Sequence, residues 1–178
     1  MRPVTRPPPQ AAGLSLIQLL LVLGLLAGLA ALALPGFQDV LDRTRVDTMR
    51  MQLLTAFAAA RSTAISRRHA VSVCASDDGR HCSLDWSAGW LIYRDRRRQD
   101  QPAAPDDVLH YQPGQRARGI RATATSGRPT LRYGANGRSL GSNLTIALCL
   151  RDERRGDVIV NNTGRARSLT YRGTEPCP

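Results

Sequence analysis

An apolar run near the beginning of the chain sets the narrowest limit on how it can fold. Residues 14 to 34 are 21 consecutive positions in which only Ser15 and Gln18 are polar. A helix rises about 1.5 Å per residue, so a run of this length spans roughly 30 Å, the thickness of the hydrocarbon core of a bilayer. The run therefore predicts a helix that can cross a membrane.

A cleaved secretory signal is the alternative explanation for this run. Arg2 and Arg6 supply a basic leader, and Ala31-Leu32-Ala33 looks like a small-x-small cleavage site. The apolar core is nevertheless longer than the roughly 7 to 15 residues that are usual in secretory signals. Its length favours a segment that the protein retains.

After Pro35 the run gives way to an amphipathic pattern. Apolar residues recur at spacings of three and four, which places them on one helical face: Val46, Met49, Leu53, Phe57, Ala60 and Ala64. The helix is therefore predicted to continue to about Arg68. A proline disturbs only one turn, so a kink is expected at Pro35 rather than an end.

From Ala70 onward the pattern changes to short β-type runs. They are residues 71–74, 89–93, 108–111, 121–125, 130–133, 144–150 and 157–160. Gly, Asn, Asp and Pro separate them, which is typical of antiparallel strands joined by turns. The charged stretch 94–102 is predicted to be a solvated loop. The fold class is accordingly α+β, with one long kinked helix packed on an antiparallel sheet.

Four cysteines in a chain with a membrane-targeting start predict two disulfides in an oxidising compartment. Three pairings are possible. Proximity along the chain favours Cys74 with Cys82, which leaves Cys149 with Cys177. A metal site is the rival, since His81 precedes Cys82, but no C-x-x-C or paired-histidine spacing supports it.

The net charge of +11 comes entirely from arginine, because all 25 basic residues are Arg. Twelve of them lie from Arg116 to the end, against only four acidic residues. The guanidinium fork pairs bidentately with phosphate, so such a C-terminal third suits a polyanion. A general solubility bias is the other explanation of the charge.

Catalysis and cofactor binding find little support in the sequence. His69, His81 and His110 have no evident nucleophile partner, and no Gly-rich loop lies between a strand and a helix to hold a nucleotide. We therefore expect no enzymatic activity, no cofactor and no metal.

The leader, the apolar helix and the amphipathic continuation together resemble the type IV pilin-like proteins. The runs 59–65 and 86–93, with the turns at Gly137-Arg138 and 162–167, are similar to hallmarks of their FimT/GspH group, most closely FimT. The resemblance implies that a prepilin peptidase cuts after Gly13 and that Leu14 becomes a methylated N-terminus. Residues 1–13 are then the leader, 14–35 the transmembrane and filament-core helix, and 36–178 the globular domain.

Within this group the resemblance also implies a place for DNA. Some FimT-like minor pilins bind DNA during natural transformation through a C-terminal Gly-Arg-x-Arg motif, which Gly164-Arg165-Ala166-Arg167 fits. Glycine would let a turn expose its backbone, and two Arg spaced by one residue on an extended segment point the same way. Candidates to share this surface are Arg151, Arg154, Arg155 and Arg172, with Arg138 as a further one. Binding should be weakly sequence-specific and salt-sensitive. The alternative is a basic hairpin without a DNA role.

One residue departs from the family pattern. Family members usually have Glu at the fifth mature position, whereas this chain has Gln18. An amide can form hydrogen bonds but supplies no countercharge for the N-terminal amine of a neighbouring subunit. The departure suits a rarely incorporated subunit, or reflects drift in a low-copy component.

The expected function is that of a minor type IV pilin that takes part in pilus assembly and binds extracellular DNA for uptake. Its partners would be major and minor pilins, prepilin peptidase and DNA. It would lie in the inner membrane with a periplasmic domain before assembly, and then in the pilus. The alternative is a minor pseudopilin of type II secretion with a purely structural role.

Overall fold

The computed structural model describes residues 15–114, 119–124, 128–141 and 143–178, and it leaves out the side chains of residues 35 and 172–174. The predicted leader 1–13, with its expected cleavage position Gly13 and expected N-terminus Leu14, lies outside the described residues. Thr125, the last residue of one expected strand, lies outside them as well.

A single long helix, α1 (Leu16–Arg67), opens the described chain. It ends one residue before the predicted end, and it continues through Pro35 rather than ending there. Within the described residues, α1 is long and apolar enough to cross a membrane, as judged by length and composition. The chain divides into two units, Met1–Val40 and Leu41–Pro178. The globular unit therefore contains the amphipathic part of α1 and all the strands.

Two antiparallel sheets make up the rest of the globular unit. The first contains β1 (Val71–Ala75), β2 (Gly89–Arg94), β3 (Val108–Pro113) and β5 (Thr130–Tyr133) in the order β3-β2-β1-β5. A short 3-10 turn, Pro105–Asp107, precedes β3. β1 lies at the centre of this sheet and is buried along its whole length, which explains its short, nearly continuous apolar run.

The second sheet contains β4 (Ile120–Ala124), β6 (Leu144–Leu150), β7 (Glu153–Val160) and β8 (Ala166–Pro176) in the order β4-β6-β7-β8. β8 is absent from the seven runs that the sequence predicted. Its residues ARSLTYRGTEP are mostly polar because β8 is an edge strand with an exposed side. Pairing with β7, rather than an apolar pattern, holds it in extended form.

The core lies between α1 and the two sheets. All six residues of the predicted helical stripe are buried, so this prediction is confirmed. Phe57 on α1 meets Trp86 edge to face, with ring centroids 6.0 Å apart. Trp86 and Trp90 are 0% and 2% exposed. Both therefore serve as packing aromatics.

Both disulfides have the predicted pairing. Cys74 joins Cys82, and Cys149 joins Cys177. The first closes a short loop after β1. The second ties the last residues of the chain to β6, so β8 is held at its far end by a covalent link.

The charged stretch 94–102 differs from the predicted solvated loop at its first two residues, since Arg94 is the last residue of β2 and Asp95 is buried. Asp95 is only 3% exposed. Its carboxylate accepts a hydrogen bond from Ser72 Oγ at 2.7 Å and forms an ion pair with Arg132. A buried carboxylate is tolerated when donors surround it. The Gln99 N–H, four residues along the same stretch, also donates to this carboxylate, at 2.8 Å. The prediction fails at Asp95 because Ser72 and Arg132 come from other strands, while residues 96–100 are exposed as expected.

Candidate nucleic-acid interface

The Gly-Arg-x-Arg motif occupies the turn between β7 and β8. Asn161 closes this turn: its backbone carbonyl accepts a hydrogen bond from Gly164 N at 2.8 Å, and its Oδ1 accepts one from Arg165 N at 3.2 Å. Thr163 Oγ1 also donates to Asn161 Oδ1, at 2.6 Å. Asn commonly stabilises turns by such side-chain to backbone bonds. The turn is therefore defined by its own residues before any partner is considered.

Gly164 has a different role from the one that the sequence argument gave it. It is buried rather than exposed, and its φ is +78°. A Cβ at this position would lie 2.1 Å from the carbonyl oxygen of Gly137 and 3.2 Å from Tyr133 Cε1. Only glycine fits a left-handed conformation at such a close backbone approach. Gly164 thus docks the turn on the loop that follows β5.

That loop is held in turn by α1. Arg61 Nε donates a hydrogen bond to the Gly137 carbonyl at 2.9 Å. Beneath it, Tyr133 is fully buried, and burial raises the pKa of its phenol well above the usual range while the charge of Arg61 acts in the opposite direction. A contact chain therefore runs from α1 through Gly137 to Gly164.

Arg165 and Arg167 lie side by side on the exposed face of this hairpin. Between them Ala166 is half-buried and packs against the core. Alternate residues of a strand point to opposite faces, so the two arginines share one side. Within the described parts of the chain, neither guanidinium forms a hydrogen bond or an ion pair. Two positive charges are available here to a ligand.

Arg154, in contrast, is committed to a carboxylate. Its Nε and Nη2 bind the two oxygens of Asp157 at 2.8 and 2.6 Å, and the Asp157 side chain is 3% exposed. Tyr171 OH donates to the same carboxylate at 2.8 Å, and the Arg154 guanidinium lies 5.3 Å from the Tyr171 ring centroid. The hydrogen bonds to Asp157 raise the pKa of both Arg154 and Tyr171. Tyr171 is therefore held by contacts within the protein.

Arg151 and Arg155 also pair with acidic residues. Arg155 forms an ion pair with Glu153. Arg151, in the turn between β6 and β7, binds Asp42 Oδ2 at 2.8 Å. Asp42 and Arg61 are 19 residues apart on α1, which corresponds to roughly 28 Å at about 1.5 Å per residue. The β6–β7 turn and the β7–β8 turn therefore lie at opposite ends of the second sheet.

The structure thus brings together only part of the predicted arginine set. Arg165 and Arg167 are neighbours, whereas Arg151, Arg154 and Arg155 are not with them, and the side chain of Arg172 lies outside the description. Arg138 is exposed in the loop that contacts Gly164, so it belongs to the same end as the motif. Sequence reasoning did not assign Arg61 to this end, because only the tertiary fold brings residue 61 to residue 137.

The polar residue near the start of α1 has a local partner. Gln18 Oε1 accepts a hydrogen bond from Ser15 N at 3.2 Å. Ser15 immediately precedes α1, so Ser15 and Gln18 have the spacing of a capping box, in which the third helical residue binds the N-cap amide. The Gln18 side-chain amide therefore caps the N-terminal end of α1, a role that requires no charge.

The histidine beside Cys82 has its own partner. His81 Nδ1 lies 2.7 Å from Asp78 Oδ2, and Cys82 is held in a disulfide. Hydrogen bonds from the His81 backbone and side chain and from the Arg80 amide lower the pKa of Asp78. Among the described residues, no group of three His, Cys, Asp or Glu could hold a metal ion.

Comparison with known proteins identifies the family. A sequence model described as type II transport protein GspH matches residues 50–164, more than half of the chain. The chain belongs to the GspH family. No curated protein sequence matches it.

Solved structures of GspH-like minor pilins share the fold. FimU, a type IV minor pilin of Pseudomonas aeruginosa PAO1, aligns with a TM-score of 0.57 and 25% identity over 76% of this chain and 94% of FimU. A second crystal form of FimU gives 0.55 and 23% over 72% and 99%. The solution structure of E. coli GspH, with a TM-score of 0.46 and 14% identity over 75% and 94%, is too remote to bear on function.

Family and fold make this chain a type IV pilin-like minor pilin of the FimT/GspH group. Such a protein takes part with other pilins in assembling a pilus or a secretion pseudopilus. Family and fold are those of structural pilins rather than enzymes. The apolar part of α1 indicates a membrane anchor with the globular unit in the periplasm.

Proposed function

We propose that this minor pilin belongs to a type IV pilus and binds extracellular DNA for uptake through the β7–β8 turn. The observation that carries the proposal is the pair Arg165 and Arg167, exposed, adjacent and without a carboxylate partner among the described residues. Elsewhere on the same sheet, arginines are neutralised by acidic neighbours. An unneutralised pair on a rigid turn is suited to neighbouring phosphates.

The contacts expected of this site are to the DNA backbone. In the described part of the chain no recognition helix presents Asn or Gln beside the two arginines, and Asn161 Oδ1 is bound within the turn, so base readout is not expected. Binding would be nearly independent of sequence. With two phosphates neutralised, log K should fall against log salt with a slope of roughly −1.4 to −1.8. This is shallower than a set of four arginines would give.

The test is DNA binding by the full-length protein in non-ionic detergent. Fluorescent 30-nucleotide single strands and the matching duplex serve as probes. Changing Arg165→Ala and Arg167→Ala together should weaken binding by about tenfold or more and reduce the magnitude of the salt slope by roughly 1.4 to 1.8, the contribution of the two lost phosphate contacts.

A matched control removes two charges elsewhere. Arg43 on α1 and Arg80 in the first disulfide loop are both exposed, and neither forms an ion pair within the described residues. Arg43→Ala with Arg80→Ala should leave affinity within about twofold, apart from the general effect of net charge. Equal losses of DNA affinity in the two double variants would show that net charge alone accounts for binding, and would contradict the proposal.

A minor pseudopilin of type II secretion is the second candidate. The description of the matching family, a type II transport protein, favours it, while the likeness to the type IV minor pilin FimU favours the pilus. Deleting the gene and measuring both transformation and protein secretion separates them. Lost secretion with normal transformation would support the pseudopilin.

We further propose that prepilin peptidase cuts between Gly13 and Leu14 at the inner membrane, leaving a methylated Leu14 and separating leader 1–13 from helix 14–35 and domain 36–178. The N-terminal peptide of protein purified from membranes and from sheared pili should begin at methylated Leu14. Detection of residues 1–13 in pili, or of a start after Ala33, would contradict this.

Gln18 is proposed to suit a subunit that is incorporated rarely, near the pilus tip, where one charge pairing between subunits is absent. Replacing Gln18→Glu keeps the acceptor for Ser15 N and adds the usual charge. The variant should enter the shaft more often, as counted by quantitative mass spectrometry of sheared pili. An unchanged copy number would argue against the tip position.

A further inference from the structure

A groove lies beside the β7–β8 turn. One wall is α1 between residues 54 and 65, and the other is the chain between residues 161 and 167. Its volume is about 860 Å³. Arg165 and Arg167 line it from the hairpin side, so the proposed DNA contacts are not on a flat surface but on the rim of a concavity.

Arg61 lines the same groove from the helix side. Its Nε is bound to the Gly137 carbonyl, which fixes the plane of the guanidinium. Within the described residues, its two terminal nitrogens have no hydrogen-bond or ion-pair partner. A guanidinium that is already oriented loses less rotamer freedom when it binds a phosphate.

The charge of the groove is of one sign. Three of its lining residues are arginines, and none of those that the structure describes is acidic. Leu54, Ala58 and Ile65 supply apolar surface between the charges. The combination offers cations to phosphate oxygens and apolar contact to sugars, which is the chemistry of a nucleic-acid strand.

We infer that one strand of a DNA backbone lies in this groove and that Arg61 on α1 supplies a third phosphate contact opposite Arg165 and Arg167. The inference rests on the proposed function and goes beyond it, because it extends the site from the C-terminal motif to the helix. Three contacts predict a salt slope of roughly −2.1 to −2.7 for the unaltered protein.

The first test separates the charge of Arg61 from its structural bond. Arg61→Gln removes the charge, Arg61→Lys keeps it, and both lose the Nε bond to Gly137. If Arg61 contacts phosphate, Arg61→Gln should bind the 30-nucleotide probes about fivefold more weakly with a slope reduced by about 1, and Arg61→Lys should retain most of the affinity. Equal affinity of the Gln and Lys variants would overturn the inference.

The second test leaves Arg61 in place, so it holds even where Arg61 variants fail to fold. Ser62 lines this groove, whereas its neighbour Thr63 lines a separate groove between α1 and strands β2 and β3. Ser62→Glu should weaken DNA binding about tenfold because it places a carboxylate beside the phosphates. Thr63→Glu, with the same charge change one residue away, should stay within about twofold. Equal effects of the two changes would overturn the inference.

The outcomes distinguish this inference from the proposed function. Loss of binding in the Arg165 and Arg167 variant, with no effect of Arg61→Gln or Ser62→Glu, would leave the proposed function standing and remove the groove from it. Unchanged DNA affinity with lost pilus assembly in Ser62→Glu would assign the groove to a neighbouring subunit. No binding of either probe by the unaltered protein would overturn both. Comparing the affinity for the single-stranded probe with the affinity for the duplex probe shows which form of DNA binds in the groove.

Discussion

The two ends of strand β7 carry arginine in different states. At the Glu153 end, Arg154 binds the buried Asp157 through two hydrogen bonds, and Arg155 pairs with Glu153. At the Val160 end, Arg165 and Arg167 of the adjoining turn are exposed and unpaired among the described residues. A count of positive charges therefore does not locate a binding surface. A paired arginine stabilises the fold, whereas an unpaired one is available to a ligand.

The largest effect on this comparison is expected from Gly164→Ala. The new Cβ would lie 2.1 Å from the Gly137 carbonyl at a φ of +78°, so both overpacking and backbone strain apply. We expect a loss of about 3 to 4 kcal/mol in the free energy of unfolding, together with weaker DNA binding. Urea unfolding, followed by the fluorescence of the buried Trp86 and Trp90, measures the change in the free energy of unfolding.

Gly119→Ala is the matched control for this change. Gly119 also has a positive φ, of +81°, but among the described residues the atom nearest to a Cβ there is Arg151 Cγ, at 3.3 Å. Backbone strain alone should cost about 1 to 2 kcal/mol. Equal losses at the two glycines would mean that the contact between Gly164 and Gly137 adds nothing.

Arg154→Ala should have the next largest effect, and on stability rather than on DNA. It leaves the Asp157 carboxylate buried without its cation, which costs about 3 kcal/mol. DNA affinity of the folded protein should change by less than about twofold. Adding Asp157→Ala should recover part of the lost stability, because the uncompensated charge is then gone. A tenfold loss of DNA affinity in Arg154→Ala would show that arginines at both ends of β7 contribute to DNA binding.

Arg151→Ala should have the smallest effect. The Arg151 side chain is 58% exposed where it meets Asp42, and partly exposed ion pairs contribute only about 0.2 to 1 kcal/mol. The free energy of unfolding and the free energy of DNA binding should each change by no more than about 1 kcal/mol. The same measurements, urea unfolding and probe binding, check both. A stability loss as large as that of Arg154→Ala would show that the Arg151 pair also holds the fold.

Much of the fold was predictable because its signals are local. The helical stripe from Val46 to Ala64 follows from a spacing of three and four, and the centre of the first sheet from short apolar runs. β8 was missed because an edge strand can be polar on its exposed side and is held by β7. Asp95 was misplaced in solvent because two of its donors, Ser72 and Arg132, come from other strands.

The candidate site was predictable only in part. The motif at residues 164–167 is contiguous in sequence, so it could be found without a structure. The state of each arginine could not, since Arg151 meets its carboxylate 109 residues away, while Arg154 and Arg155 meet theirs within three. The sequence predicted that Gly164 exposes the backbone of the turn, because nothing in the sequence reveals that this residue is buried against Gly137.

Residue type and spacing over short distances were enough to predict the long helix, seven of the eight described strands and the motif at residues 164–167, and they favoured the disulfide pairs that are observed. The packed structure was needed to show which arginines are neutralised, why residue 164 is glycine, and that Arg61 shares a groove with Arg165 and Arg167. Charges act through space, and the distances that set their strength exist only after α1 and the two sheets have packed together.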